Sequence, residues 1–514
     1  MKINKFFFLL LVTFSINTLF ADEMDEVVVS SAFINKAASE LADPIHILSG
    51  DDIATEATQS LGETIDDLLG VSSADYGAAV GQPIIRGMSG TRVKILDNGM
   101  VNRDVSGLGA DHLNDIDMSN VQQIEVVRGP SSLLYTNGTI GGIVNVVDNS
   151  IAMKDVERLF KVGAESQSVN DGDSRSFFYQ DNVGGDINIS LAYKNTSLGN
   201  FDVPNGAIMH EEEEHHDEDH DEDHDEDHDE DHDEHEESEV AYYDKTFKNS
   251  SIALNIGREL NGFLSVDFGF SSVERAPSTT EMFMNGAHLA TARFEVGNVN
   301  LNSETSNNID LTLNMKNGSF FAKATVFMND VDNYIYLQDE TEEEHEEHDE
   351  EHEDGHDDHG GLILANYLQQ DAELDGYEIE FGNSMDLGSG ELTLSFGRDE
   401  ISGEFSGGGN IPRLNPARNI FKLKYSQDNT IFGLMFKDVE KQNDIGLAET
   451  NTDGYQMLNA KLSRRFDLGG QGDLTVSLFG NNLLDEVARN HSSYVKTQVP
   501  LPGKNYGMRF NLTF

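Results

Sequence analysis

Apolar and polar residues alternate with a period of two over most of this chain. Ile187, Ile189, Leu191 and Tyr193 are separated by Asn188, Ser190 and Ala192. The same alternation runs through Leu264, Val266, Phe268 and Phe270, through Ile309, Leu311, Leu313 and Met315, and through Leu392, Leu394 and Phe396. It returns in Leu474, Val476 and Leu478 and in the last residues, Tyr506, Met508, Phe510, Leu512 and Phe514. Period two places each set on one face of a strand. Each segment runs to about ten residues, the length a tilted strand needs to cross a bilayer. In lipid such strands are satisfied only in a closed barrel, because an edge finds no water to bond. A soluble β-sandwich would share the alternation, but the small and polar alternate positions and the C-terminal phenylalanine favour the barrel. About fourteen such strands can be counted over 151–514. Residues 43–150 read differently, as a compact α/β piece. Leu61, Ile65, Leu68 and Leu69 share one side of a helix predicted over 60–69, and short apolar runs follow at 83–85, 93–96, 124–127 and 142–147. Asp97-Asn98-Gly99 and Thr136-Asn137-Gly138 mark turns between them.

The N-terminus adds a location. Lys2 and Lys5 precede an apolar run from Phe6 to Phe14 that gives out near Ala21, just before Asp22. This charged, apolar, small-residue order is that of a secretory signal over 1–21. No later segment holds eighteen consecutive apolar residues, so membrane crossing by helices is excluded. There is no cysteine, which removes disulfides and thiolate metal ligands. The net charge of −59 opposes binding to nucleic-acid phosphates.

That charge is concentrated. Glu211 to Glu239 holds 21 acids and Asp339 to Asp358 holds 14 more, out of 93. The first tract (210–239) carries His210, His215, His216, His220, His224, His228, His232 and His235; the second (339–359) carries His345, His348, His352, His356 and His359. Imidazole nitrogen mixed with carboxylate oxygen suits zinc, and also nickel or copper(II). Oxygen alone would suit calcium or magnesium and would not call for histidine. The tracts have nothing to bury and cannot fold alone. They read as capture loops that raise the local metal concentration, with a solvated acidic loop as the plainer alternative. His46 and His491 lack such neighbours and read as structural.

Several motifs resemble the TonB-dependent outer-membrane receptors. Asp25, Glu26, Val27, Val28, Val29 and Ser30, in the segment 22–42, resemble the TonB box, a run that adds as a strand to a partner's sheet. Ile84-Ile85-Arg86-Gly87, Val93 to Asp97, Glu125 to Pro130 and Gly141 to Val146 resemble plug-domain signatures. Glu274 to Ser278 and Gly297 to Leu301 resemble a receptor signature in the barrel. Glu281 to Thr291 and Asn481 to Asn505 are similar to the zinc-uptake (ZnuD-like) branch. The resemblance implies an all-β antiparallel transmembrane barrel of 22 strands with an N-terminal α/β plug domain inside, in the outer membrane. The countable strands fall short of that, and the shortage lies between Val240 and Val273. It further implies the energy-transducing protein TonB as partner, and a discrete zinc site to which Asp111, His112 and His288 contribute. Glu281 is a possible extra ligand.

The expectation is therefore an importer of a divalent transition metal, with zinc as the transported ligand. No nucleophile–base arrangement or phosphate-cradling loop points to an enzyme. A haem or siderophore receptor is the alternative cargo reading, since haem receptors place a histidine between the same two barrel motifs. That reading leaves the tracts unexplained. A passive surface metal-binding protein would suit a shortened barrel.

Overall fold

The computed structural model describes residues 28–30, 35–37, 45–49, 53, 60–74, 80–103, 112, 116, 118, 121–148 except 137, 156–209 except 186, 246–341 except 248, and 361–514 except 470 and 471. Strands β1 (Val28–Ser30) and β2 (Asn35–Ala37) form a short antiparallel pair. The plug follows: β3 (Ile45–Ser49), α1 (Leu61–Ile65), β4 (Val71–Ala74), β5 (Gln82–Ile85), β6 (Val93–Asp97), β7 (Met100–Val101), β8 (Val121–Arg128) and β9 (Gly142–Asp148). Five of these form a mixed sheet in the order β3-β8-β9-β6-β7, with β6 parallel to β9; β4 and β5 pair separately. Ser60 caps α1 by accepting the Glu63 N–H at 3.2 Å, and Leu61 and Ile65 are fully buried.

The expected helix over 60–69 is cut to a turn and a half. The carbonyls just past its end are bonded from outside: Arg418 donates to Asp66 O and Leu68 O, and Lys422 to Asp67 O. Cations at a helix C-terminus complement its dipole and satisfy its free carbonyls. Gly70, at φ +69°, then turns the chain into β4.

The large sheet begins with β10 (Leu159–Gln167), β11 (Gly172–Val183), β12 (Ile187–Ser197), β13 (Ser251–Asn261) and β14 (Leu264–Arg275). A short insert holds α2 (Thr279–Phe283), β15 (Asn285–His288) and β16 (Arg293–Val296). It is followed by β17 (Glu304–Asn317), β18 (Phe320–Asp339), β19 (Ile363–Leu387), β20 (Gly390–Phe405), β21 (Arg418–Gln427), β22 (Thr430–Val439), β23 (Tyr455–Asp467), β24 (Asp473–Asn481) and β25 (Asn505–Thr513). The order is β12-β11-β10-β25-β24-β23-β22-β21-β20-β19-β18-β17-β14-β13, with β15 and β16 attached beside β19 to make sixteen strands. Neighbours along this path are antiparallel, and β10 pairs with β25, so the start and end of the sheet-forming chain meet. Among the described residues β12 and β13 are its two edges and do not pair with each other. The break thus lies at the 198–250 connection, and the stretch expected to be short of strands contains β13 and β14.

Burial alternates in the inverted sense required by lipid. On β17, Ile309, Leu311 and Leu313 are 44–46% exposed, while Ser306, Asp310 and Thr312 are at most 1% exposed. Connections at 184–186, 262–263, 318–319, 388–389 and 428–429 lie at one end of the sheet. The longer ones, at 198–250, 276–303, 340–362, 406–417, 440–454 and 482–504, lie at the other.

The plug packs against the inner wall through one continuous core, in which Ile65, Ile85, Ile124 and Val144 join Val331, Leu374 and Leu414. Ion pairs cross the same joint. Arg86 meets Asp310 and Glu378, each at 2.9 Å, and Arg128 meets Glu378 at 2.7 Å. Arg92 reaches Glu304, which Arg275 also holds at 2.5 Å. Each carboxylate is almost fully buried, so removing one partner would strand a charge in low dielectric.

Candidate metal site at the plug–barrel joint

Two histidines meet where the plug faces the long-connection end of the sheet. His112 comes from the plug. Gln82 donates from its side-chain amide to the His112 carbonyl at 2.8 Å, tying that residue to the end of β5. His288 comes from the β14–β17 connection, at the end of β15. The imidazole centroids are 6.1 Å apart and the rings are inclined at 29°. Two imidazoles on one tetrahedral ion, at roughly 2.0–2.1 Å per nitrogen, hold their centroids about 5 Å apart, so the rings would have to reorient and close by about 1 Å to share one.

The β15–β16 hairpin that carries His288 is well anchored. Its turn closes with Ala292 in the left-handed region, at φ +53°. Pairing of His288 with Arg293 and of Gly286 with Glu295 puts His288 and Glu295 diagonally on one face. Glu295 Oε1 lies 2.7 Å from His288 Nδ1. β16 continues into the main sheet by parallel pairing with the start of β19, Glu295 opposite Ala365. Arg293 ties the hairpin to Asp339 at 2.8 Å and to the Tyr494 carbonyl at 3.0 Å. Arg413 holds the same Asp339 oxygen at 2.8 Å and lies 3.6 Å over the Tyr494 ring. Three connections are therefore pinned around one buried carboxylate.

The remaining expected site residues fare differently. Asp111 lies outside the described residues. So do His210, His215, His216, His220, His224, His228, His232, His235, His345, His348, His352, His356 and His359, and Asp25, Glu26 and Val27 of the TonB-box segment. Val28 to Ser30 form β1 and pair with β2 in their own chain. Glu281 is engaged elsewhere: it closes the capping box of α2 with Ser278, and both its oxygens bond Arg275 at 3.0 Å. A carboxylate so occupied has little left for an ion. Asp339, read as the first acid of a solvated tract, is instead the buried end of β18. Glu295 was missed, because Phe294-Glu295-Val296 reads only as a strand fragment. Among the described residues no three His, Asp or Glu side chains converge as a ready metal site.

His491 stays structural. It is wholly buried between Glu449, 3.1 Å from its Nε2, and Thr452, 2.7 Å from its Nδ1. Burial lowers its pKa.

Comparison with known proteins agrees with this architecture. Residues 37–143 match the TonB-dependent receptor plug domain. Similar solved structures include the copper transporter OprC, at 11% identity and a TM-score of 0.62, covering 91% of this chain and 100% of that one. The siderophore receptor PirA of Acinetobacter baumannii is 12% identical with a TM-score of 0.63, covering 92% and 98%. A mutant of the ferric enterobactin receptor PfeA of Pseudomonas aeruginosa is 12% identical with a TM-score of 0.66, covering 95% and 100%. At such identities the likeness is one of fold. The barrel match is wider than the plug match, running over residues 107–483 under the description "TonB dependent receptor-like, beta-barrel", and on that span the chain belongs to the TonB-dependent receptor family of outer-membrane barrels.

Proposed function

We propose that this receptor imports a divalent transition metal, with zinc as the preferred cargo, and that the ion binds between His112 of the plug and His288 of the barrel. The observation that carries this reading is the 6.1 Å approach of those two rings from separate bodies. Asp111, adjacent in sequence, would add a third donor, and water would complete an open tetrahedron from which the ion can leave. Donors split across a joint have a mechanical consequence. The affinity depends on where the plug sits, so displacing the plug separates the ligands and releases the ion. Pulling on 25–30 by TonB is the displacement the family affords.

The two His/Asp/Glu tracts support the same cargo. They fall in the 198–250 and 340–362 connections, at the end of the sheet that also carries His288. Long connections of outer-membrane barrels face outward. The donors of the tracts favour zinc, nickel or copper(II) over calcium. Residues 1–21 would direct export. Among the described residues β12 and β13 are left as edges, which favours a second reading, a surface metal-binding protein that does not transport.

Uptake of radioactive zinc by cells whose only receptor is this chain separates the two. In a Val28→Pro copy the strand that would join TonB loses an N–H. Uptake that disappears in this variant is the expected result. Zinc held at the surface equally by both copies, and never internalised, would replace import with passive binding.

A further inference from the structure

We infer that Glu295 is the positioning residue of this site: its carboxylate holds Nδ1 of His288 and so presents Nε2 to the ion. The inference rests on the metal-import reading above and adds a residue to it. The contact is 2.7 Å long, and the Glu295 side chain is 4% exposed against 22% for His288. A buried carboxylate beside an imidazole makes Nδ1 the protonated nitrogen and leaves the Nε2 lone pair free. It also raises the basicity of the ring as a ligand.

The carboxylate is itself fixed. Thr291 Oγ1 lies 3.2 Å from the same oxygen, and the Tyr367 hydroxyl lies 3.4 Å from the other. The backbone beneath is locked into β19, and the neighbouring Arg293 is clamped on Asp339. The barrel half of the site is thus held from several sides.

The test is zinc uptake by cells carrying the full chain as wild type, Glu295→Ala, Glu295→Gln, His288→Ala or the Glu295→Ala/His288→Ala pair, with the amount of receptor in the outer membrane measured for each. Loss of an outer-shell carboxylate of this kind typically weakens metal binding about 10–100-fold. Glu295→Ala should therefore raise KM by that factor, with Vmax and receptor amount little changed. Adding it to His288→Ala should change nothing further, because both act on one ligand. Glu295→Gln keeps an oxygen for Nδ1–H and should recover most of the loss; being isosteric, it also decides the matter if the alanine variant fails to fold. Multiplicative effects in the pair, or a loss that follows receptor amount alone, would overturn the inference. Normal uptake by His288→Ala would instead overturn the site reading itself.

Discussion

Lys496 is an ammonium enclosed by protein. It donates to the Thr450 carbonyl at 2.6 Å and lies 3.4 Å from His491 Nδ1, with Glu449, Arg413 and Arg293 as the surrounding charges. Burial lowers its pKa to about 8. The unfolded chain keeps this proton to about pH 10.4. Between those values unfolding takes up protons, so stability rises with pH. His491, lowered from 6.5 by its burial, acts in the same direction at lower pH, and acid below 6.5 loosens the same connection. Protease resistance of 482–504 should therefore climb from pH 8 toward 10, and Lys496→Met should flatten that climb. A flat profile in the wild type would show that water reaches the amine. The site residues show what a chain read in one dimension can and cannot reveal. His112 and His288, singled out because their surroundings resemble known motifs, come together in the fold. Glu295 was not legible, since its partner lies seven residues away across a hairpin. Glu281 was misread for the complementary reason. Its nearness to His288 in sequence gave no hint that Arg275, on the preceding strand, would occupy both of its oxygens.

At the scale of elements, the strands were the most legible feature because lipid enforces a strict period. An apolar side chain is needed at every outward position, so β12, β14, β17, β20, β24 and β25 follow the alternation read from sequence. β17 offers a clean test. Leu311 faces outward at 46% exposure near the middle of the strand, between the buried Asp310 and Thr312. Leu311→Arg places a charge on the lipid side and should cost about 2–4 kcal/mol. Urea-driven unfolding from lipid vesicles would measure it; a cost near zero would mean that Leu311 is in water. The helix was less legible. Its apolar spacing continues through Leu69, but the helix stops at Ile65, and the carbonyls of residues 66–68 bond Arg418 and Lys422 of the barrel instead of continuing a regular turn. Tertiary contacts of that kind leave no trace in local periodicity.

The whole molecule is a plug seated in a sheet of inverted polarity whose described strands leave two edges. The number of strands on the main path was legible; the stretch 240–273, read as short of strands, instead holds β13 and most of β14. The pairing was not: which strands become edges depends on where the sheet stops. Lipid offers those edges no hydrogen bonds. The outward amides of β12 and β13 should therefore exchange hydrogen more slowly in lipid vesicles than in detergent micelles, having found partners. Equal and fast exchange in vesicles would mean that the gap between them is filled with water.

The sidedness of the connections has an electrical meaning. Arg86, Arg92 and Arg128 of the plug face acids at the inner joint, whereas much of the chain's acid lies in sequence within the 198–250 and 340–362 connections. A fixed negative layer draws counter-ions according to the exponential of their charge. A potential that concentrates sodium about twofold there concentrates a doubly charged ion about fourfold, and each further doubling for sodium is again squared. Were the cargo a sparse divalent metal, as proposed, it would compete with abundant sodium by valence before any ligand is chosen. The layer thins as salt rises, since its reach at physiological ionic strength is only about 8 Å. On the proposed function, such a layer would act as an ion exchanger ahead of the metal site.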